Sequence, residues 1–324
     1  MSFPAQRLRR LRENPRLREW VGEHRLDAKQ LVQPLFVKED LTRPAPISSM
    51  PGQFQFPVSG LADEASQIAQ AGIPAVLLFG IPSVKDLSGR RALSKNGVVQ
   101  RAIKKIKQKN KDLLVIADVC LCEYLSHGHC GHVKNGRVLN DPTIKTLAEL
   151  SCSYAEAGAD VVAPSDMMDG RVKGIRQALD KHGFDAMPIL SYAVKYASAY
   201  YAPFRTAAES APRFGDRKSY QMNSANRREA LREAKADLEE GADMLLVKPA
   251  LGYSDIIFDI KQKFHCPLGA FSVSGEYSMI KAAAQNGWID EKQMVLESHL
   301  SLKRAGADFI ITYWARELAG WLKI

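Results

Sequence analysis

Four times along this chain a helix-forming stretch ends in Ala-Gly or Glu-Gly, and a short apolar, β-branched run begins within three residues. It happens at Ala71-Gly72 ahead of Ala75–Phe79 and at Ala157-Gly-Ala-Asp160 ahead of Val161–Ala163. It returns at Glu240-Gly-Ala-Asp243 ahead of Met244–Val247 and at Ala305-Gly-Ala-Asp308 ahead of Phe309–Thr312. Glycine just past the last helical turn takes the left-handed backbone that ends helices. An apolar run without polar alternation suits a strand buried on both faces. The rhythm is that of helices alternating with buried parallel strands.

Extending it along the chain places strands at 31–38, 75–80, 113–121, 160–165, 187–195, 243–249, 267–274 and 308–314. Helical segments fall at 61–71, 96–110, 143–158, 170–182, 226–240, 253–264 and 276–306. Eight alternating units point to an α/β fold, a (β/α)8 TIM barrel. The competing doubly wound sheet lacks its signature, since no glycine-rich dinucleotide turn follows any strand. Residues 1–30 precede the first strand and read as an N-terminal arm for subunit contacts, with 31–324 a single barrel. The stretch 197–226, rich in Tyr, Ser, Pro and Arg, is too long for an ordinary connection and reads as an active-site lid.

With 324 residues, 46% of them hydrophobic, the chain can bury a barrel-sized core. No apolar run approaches the roughly 20 residues of a membrane span, and no apolar signal region opens the chain. The expectation is a cytoplasmic protein with reduced thiols, which favours metal binding over disulfides. A net charge of +9 permits nucleic-acid binding. The basic residues are nevertheless spread along amphipathic helices such as 101–111, with no arginine–aromatic stripe, so a solvated face and no nucleic-acid partner is the better reading.

The chemistry starts at Asp118-Val-Cys-Leu-Cys-Glu-Tyr-Leu-Ser-His-Gly-His-Cys-Gly131, which holds three of the five cysteines, Cys120, Cys122 and Cys130. On a strand Cys120 and Cys122 face the same way, and Cys130 can return on a loop. Three thiolates make the soft site that zinc prefers, and three protein ligands leave a fourth position open. Two alternatives stand beside this. The cysteines can be small apolar fillers, or His127, His129 or His132 can close the fourth position and make the metal structural. Cys152 and Cys266 stand apart as bystanders.

Lys195 and Lys248 close two apolar strands. A lysine in such a place loses hydration, its pKa falls, and the free amine becomes a nucleophile towards ketones. A second lysine on the adjacent strand depresses it further. The bland alternative is a lysine snorkelling to the rim. Arg205 and Arg217 lie in the presumed lid and can fork onto a substrate carboxylate, or be surface arginines. Ser274 and Tyr313 end the last two strands and can serve a second anionic group, or a core-edge hydrogen bond. Asp118 can support a lysine or accept a proton. Ser165 and Asp166 are weaker candidates.

Five segments in order carry a resemblance: the cysteine run, Lys195 with Tyr200-Tyr-Ala-Pro-Phe-Arg205, Asp216-Arg-Lys-Ser-Tyr-Gln-Met222, Leu246-Val-Lys-Pro-Ala250 and Val273-Ser-Gly-Glu-Tyr277. Over essentially its whole length the chain resembles the porphobilinogen synthases (5-aminolevulinate dehydratases). The resemblance implies a lyase that condenses two 5-aminolevulinate molecules into porphobilinogen, with loss of two waters, on the way to tetrapyrroles and heme. It implies a barrel assembled as a homo-octamer through its arm.

Residue by residue, it makes Lys248 the Schiff-base lysine of the substrate that becomes the propionate side, and Lys195 that of the acetate side. Cys120, Cys122 and Cys130 become the ligands of a catalytic zinc. Arg205 and Arg217 hold one carboxylate, Ser274 and Tyr313 the other. Glu233 matches a ligand of an allosteric magnesium in some bacterial members. Other members replace the thiols by aspartates and use magnesium; this chain keeps all three thiols. It departs at Leu125, where many members carry a small polar residue. Two rival readings stand beside this. A class I aldolase-like barrel explains Lys248 but not the thiols. A zinc-stabilised nucleic-acid-binding protein explains the basicity but not the strand-end lysines.

Overall fold

The computed structural model describes residues 6–323; residues 1–5 of the expected arm and Ile324 at the end of the expected barrel lie outside them. At each of the four helix ends the glycine adopts the left-handed backbone, with φ of +92° at Gly72, +96° at Gly158, +105° at Gly241 and +115° at Gly306. The next N–H reaches back five residues, from Ile73 to Ile68, Ala159 to Tyr154, Ala242 to Asp237 and Ala307 to Leu302, at 2.9–3.3 Å. That bond satisfies a carbonyl the helix leaves open and turns the chain into the next strand.

In three repeats the following aspartate acts on the neighbouring strand. Asp160 Oδ2 accepts the Val115 N–H, Asp243 Oδ2 the Ile189 N–H and Asp308 Oδ2 the Leu268 N–H, each at 2.8 Å. Each carboxylate thus precedes one strand and grips the start of its neighbour, which pins their register. Lys107 and Lys261, on the helices before the gripped strands, complete two of these clamps at 2.9 and 2.7 Å.

The eight strands are β1 (Leu31–Lys38), β2 (Ala75–Ile81), β3 (Leu114–Val119), β4 (Val161–Pro164), β5 (Leu190–Lys195), β6 (Met244–Lys248), β7 (Leu268–Ser272) and β8 (Phe309–Thr312). Consecutive strands pair in parallel from β1 to β4 and from β5 to β8, and β8 pairs with β1. A parallel bridge from Val162 to Ile189 joins β4 to β5 and all but closes the ring. The strands are buried on both faces, and helices wrap the outside. The helix at Val98–Lys109 shows why: Val99, Ala102, Ile103 and Ile106 share its inner face while Lys104, Lys105 and Lys109 point out.

Two expectations need correcting. The single segment at 276–306 is two helices, Ser274–Gln285 and Glu291–Ala305. Gly287, at φ +70°, breaks the first, and Asp290 starts the second by accepting the Gln293 N–H at 2.7 Å. The third strand stops at Val119, before the cysteines.

The 197–226 segment carries a short helix, Ala202–Ala207, and lies across the C-terminal end of the barrel. Its Phe204 ring sits 5.7 Å from Phe36 and 5.0 Å from Phe79, which come from β1 and β2. The same segment is tethered at Glu209, whose carboxylate accepts from Lys38 at 2.6 Å. In the stretch before β1, Leu26 and Ala28 pack against the core, whereas the apolar Leu8 and Trp20 are 68% and 82% exposed.

Candidate active site

Lys195 and Lys248 are the last residues of β5 and β6, and their Cα atoms are register partners across the sheet. Each is 5% exposed. Lys248 Nζ lies in an aromatic cage, 4.3 Å from the Phe271 ring centroid and 5.1 Å from those of Tyr192 and Phe204. Burial, with the Lys195 charge next, brings the Lys248 pKa down to about 7. At neutral pH a large share of this amine is therefore uncharged and nucleophilic. Lys195 Nζ instead donates to the Ser165 carbonyl.

Asp118, inside β3, faces these lysines and is fully buried. Ser165 donates to its Oδ2 at 3.0 Å, while Oδ1 has no hydrogen-bond partner. Burial, followed by the Glu123 charge, pushes its carboxyl up to about 7 against the pull of both lysines. Ser165, a weaker candidate in the sequence, turns out to bridge Lys195 and Asp118. Asp166 faces the other way, accepting the Met168 N–H at 2.7 Å.

The three thiols converge, though not by strand alternation. Cys120 and Cys122 lie beyond β3 in a turn closed by the Leu121 carbonyl, which accepts from Tyr124 and Leu125 at 3.0 and 2.9 Å. The Cys120 and Cys122 sulfurs are 3.3 Å apart, and all three sulfurs lie within 4.8 Å of one another, buried. Four-coordinate zinc with Zn–S bonds of about 2.3 Å spaces its sulfurs by about 3.8 Å, so the group fits. Cys120 donates to Cys122, and the two thiols beside Cys130 draw its pKa well below the ordinary thiol range. A cation bound here would take the place of the thiol protons.

Among the described residues no histidine or carboxylate joins this group. Both ring nitrogens of His129 are engaged, with the Tyr220 hydroxyl at 3.1 Å and the Phe214 carbonyl at 3.0 Å. His127 Nδ1 accepts the His129 N–H at 3.1 Å, and His132 pairs with Thr146 at 2.8 Å.

Arg217 reaches inward from the covering segment. Its Nη2 donates to the Gly128 and Ser210 carbonyls at 2.8 and 2.6 Å, which staples that segment to the cysteine loop. Burial opposes its charge, but the Cys130 thiolate and its neighbours more than offset that and raise its pKa. Arg205 is half-buried, its pKa lowered by burial and by Arg217. Neither Nε has a hydrogen-bond partner, so each guanidinium keeps a donor in hand. The surface reading of these arginines is thereby disfavoured.

Tyr313, one residue past β8, is 1% exposed and its hydroxyl has no partner. Ser274 is not at a strand end: it opens the helix after β7, accepts the Phe204 N–H at 2.9 Å and donates to the Tyr200 carbonyl at 3.3 Å. Gln221 was missed in the sequence. It is 4% exposed with Nε2 unpartnered, beside Arg217 in the covering segment. Only its place in the Asp216–Met222 segment could have flagged it.

Glu233 lies apart from this centre. It is half-buried on the helix Arg228–Glu239 and lines an open cleft of about 720 Å³ with Asp169, Asn226 and Glu229. Burial raises its carboxyl.

A ring of eight parallel strands, with two buried lysines and three thiols that could hold a metal gathered at its C-terminal end, defines a TIM-barrel enzyme. The model of the delta-aminolevulinic acid dehydratase family matches residues 5–321, and the chain belongs to that family of lyases. Delta-aminolevulinic acid dehydratase of Bacillus subtilis is 54% identical over 99% of both chains. That of Methanothermobacter thermautotrophicus is 53% identical over 99% of this chain and 98% of its own. The solved delta-aminolevulinic acid dehydratase (porphobilinogen synthase) of Toxoplasma gondii, in complex with the reaction product porphobilinogen, is 45% identical. It superposes with a TM-score of 0.95 over 98% of this chain and 91% of that one.

Proposed function

We propose that this enzyme condenses two molecules of 5-aminolevulinate into porphobilinogen, with loss of two waters, in tetrapyrrole and heme biosynthesis, and that Lys195 and Lys248 each activate one substrate. The observation that carries this reading is the register pair of buried lysines, supported by the family membership. Each uncharged amine adds to a substrate ketone, whose oxygen leaves as water, and the resulting imine acidifies the neighbouring carbon and makes its own carbon electrophilic. Adjacent strand ends hold the two imines side by side. The coupling of two molecules then becomes effectively intramolecular, with effective molarities on the order of 10⁵ M or more.

Arg205 and Arg217 are the partners of one substrate carboxylate, with Gln221 as an added donor; the free hydroxyl of Tyr313 and that of Ser274 serve the other. Asp118, linked through Ser165 to Lys195, is placed to hold a proton. The 197–226 lid excludes water, which protects imines from hydrolysis. Cys120, Cys122 and Cys130 hold zinc, which supplies Lewis acidity beside the lysines. Glu233 offers a carboxylate at an open cleft that Asp169 and Glu229 also line, which suits magnesium, an ion that keeps most of its waters and takes one or two carboxylates. The exposed apolar side chains of the arm support assembly into a homo-octamer, and five free thiols support a reducing, cytoplasmic setting.

Incubating the protein with 5-aminolevulinate and zinc tests the reading: a pyrrole product is expected. An aldolase-like barrel or a zinc-stabilised nucleic-acid binder yields none. The aldolase reading also leaves the three buried thiols without a purpose.

A further inference from the structure

Glu276 is 2% exposed and sits in the first turn of the helix Ser274–Gln285. Its hydrogen-bond partners are main-chain N–H groups from two separate segments. Oε1 accepts from Ala250 at 3.1 Å and from Leu251 at 2.7 Å, two and three residues past Lys248. Oε2 accepts from Val273 at 2.6 Å, where β7 leads into the helix. A carboxylate taken out of water is costly unless its oxygens are satisfied; here three N–H donors oppose that cost without a counter-ion, and burial still pushes the carboxyl up to about 7. The Lys248 carbonyl is held as well, by the Tyr196 N–H at 3.0 Å and the Tyr201 hydroxyl at 3.0 Å. The chain is thus pinned on both sides of the lysine.

The two residues before Glu276 hold the lid. Ser274 accepts the Phe204 N–H and donates to the Tyr200 carbonyl. At Gly275 a side chain would meet Tyr200 main-chain atoms at 2.5–2.9 Å, so the lid backbone rests directly on the glycine. Ser274-Gly275-Glu276 therefore grips the lid with its first two residues and the loop after Lys248 with the third.

We propose that Glu276 is a positioning residue for Lys248, fixing the loop that follows it to the helix start on which the closed lid rests. The proposal rests on the reading that Lys248 forms an imine, and it is specific to that lysine. Lys195 ends a different strand and is held by the Ser165 carbonyl, which Glu276 does not touch. A residue of general structural importance would impair both lysines alike.

The test is borohydride trapping of 5-aminolevulinate on the full-length zinc-loaded protein, with peptide mass mapping of Lys248 and Lys195 separately. Glu276→Gln keeps size but sets an amide NH₂ against at least one N–H donor. Trapping at Lys248 is expected to fall by roughly ten- to a hundredfold, the scale on which misplacing a reacting group acts, with Lys195 within twofold of the parent. Glu276→Asp keeps the charge on a shorter arm and should restore part of the Lys248 signal. Undiminished Lys248 trapping in Glu276→Gln overturns the proposal. So does equal loss at both lysines, read in Glu276→Asp if the glutamine variant does not fold. Failure of the parent protein to trap at Lys248 would instead remove the Schiff-base reading itself.

Discussion

Lys195 and Lys248 end neighbouring parallel strands in direct register, yet their ammonium groups are held in opposite ways. Lys195 donates to a carbonyl, whereas Lys248 sits 4.3 Å from the centre of the Phe271 ring inside an aromatic cage. Lys195 keeps a polar partner, whereas the cage, for all its ring faces, denies Lys248 water. That asymmetry gives two chemically identical side chains different surroundings, and it is Lys248 whose pKa falls to about 7.

The pH dependence follows from this. Lys248, brought down to about 7, adds to a ketone only when uncharged. Its imine formation should therefore rise as pH increases through about 7 and level off above, as read by borohydride trapping at short times. A midpoint near the ordinary lysine value of 10.5 would show that the cage does not lower it.

Neutralising the partner should move that midpoint. The Lys195 charge helps to depress Lys248, so Lys195→Met should shift the Lys248 midpoint upward and reduce trapping at pH 7. An unmoved midpoint would mean that the two amines do not interact across the register pair. Lys248→Ala should abolish product formation while leaving circular dichroism unchanged.

The lid arginines should act on substrate use. Arg205→Ala or Arg217→Ala removes charge-assisted hydrogen bonds worth about 1.5–3 kcal/mol each, or roughly 10- to 150-fold in kcat/KM. Arg217→Ala should also loosen the lid, since it removes the bonds to the Gly128 and Ser210 carbonyls. Steady-state kinetics of both variants matching the parent would show that neither arginine holds the substrate.

Metal removal separates a catalytic from a structural ion. A barrel with this core needs no metal staple, unlike a small zinc finger. Chelation should abolish pyrrole formation with circular dichroism and assembly size nearly unchanged, and zinc should restore it. Cys120→Ala, Cys122→Ala and Cys130→Ala should each lose zinc and activity but stay folded. Unfolding on chelation, or a histidine ligand seen by spectroscopy of the cobalt form, would contradict an open fourth position.

The barrel floor makes a stability prediction. Asp160→Ala frees the Val115 N–H and Lys107, and should cost on the order of 1 kcal/mol in denaturant unfolding with kcat unchanged. No loss of stability would show that the clamp contributes nothing.

The barrel could be read from the sequence because its signals are local: glycine caps and apolar runs placed all eight strands. The strand-end lysines and the three thiols followed from the same local pattern. What stayed hidden depends on distant partners. The aspartate of Gly-Ala-Asp looks like a loop residue until Asp308 is seen holding Leu268, 40 residues away. Glu276 reads as an ordinary first-turn acid until Ala250 and Leu251 arrive from the preceding βα unit. Strand alternation brought Cys120 and Cys122 together for the wrong reason, because the strand ends at Val119 and a turn does the work. Ser274 reads as a strand end because the apolar run continues one residue past Ser272 through Val273, where the helix cap takes over.

The most direct test of the account is to reduce the zinc-loaded enzyme with borohydride during turnover of 5-aminolevulinate and map every modified lysine by peptide mass spectrometry. The account predicts adducts at Lys248 and at Lys195, with Lys248 the stronger, and activity lost in step with them. Adducts confined to exposed lysines such as Lys218, or none at all, would contradict it.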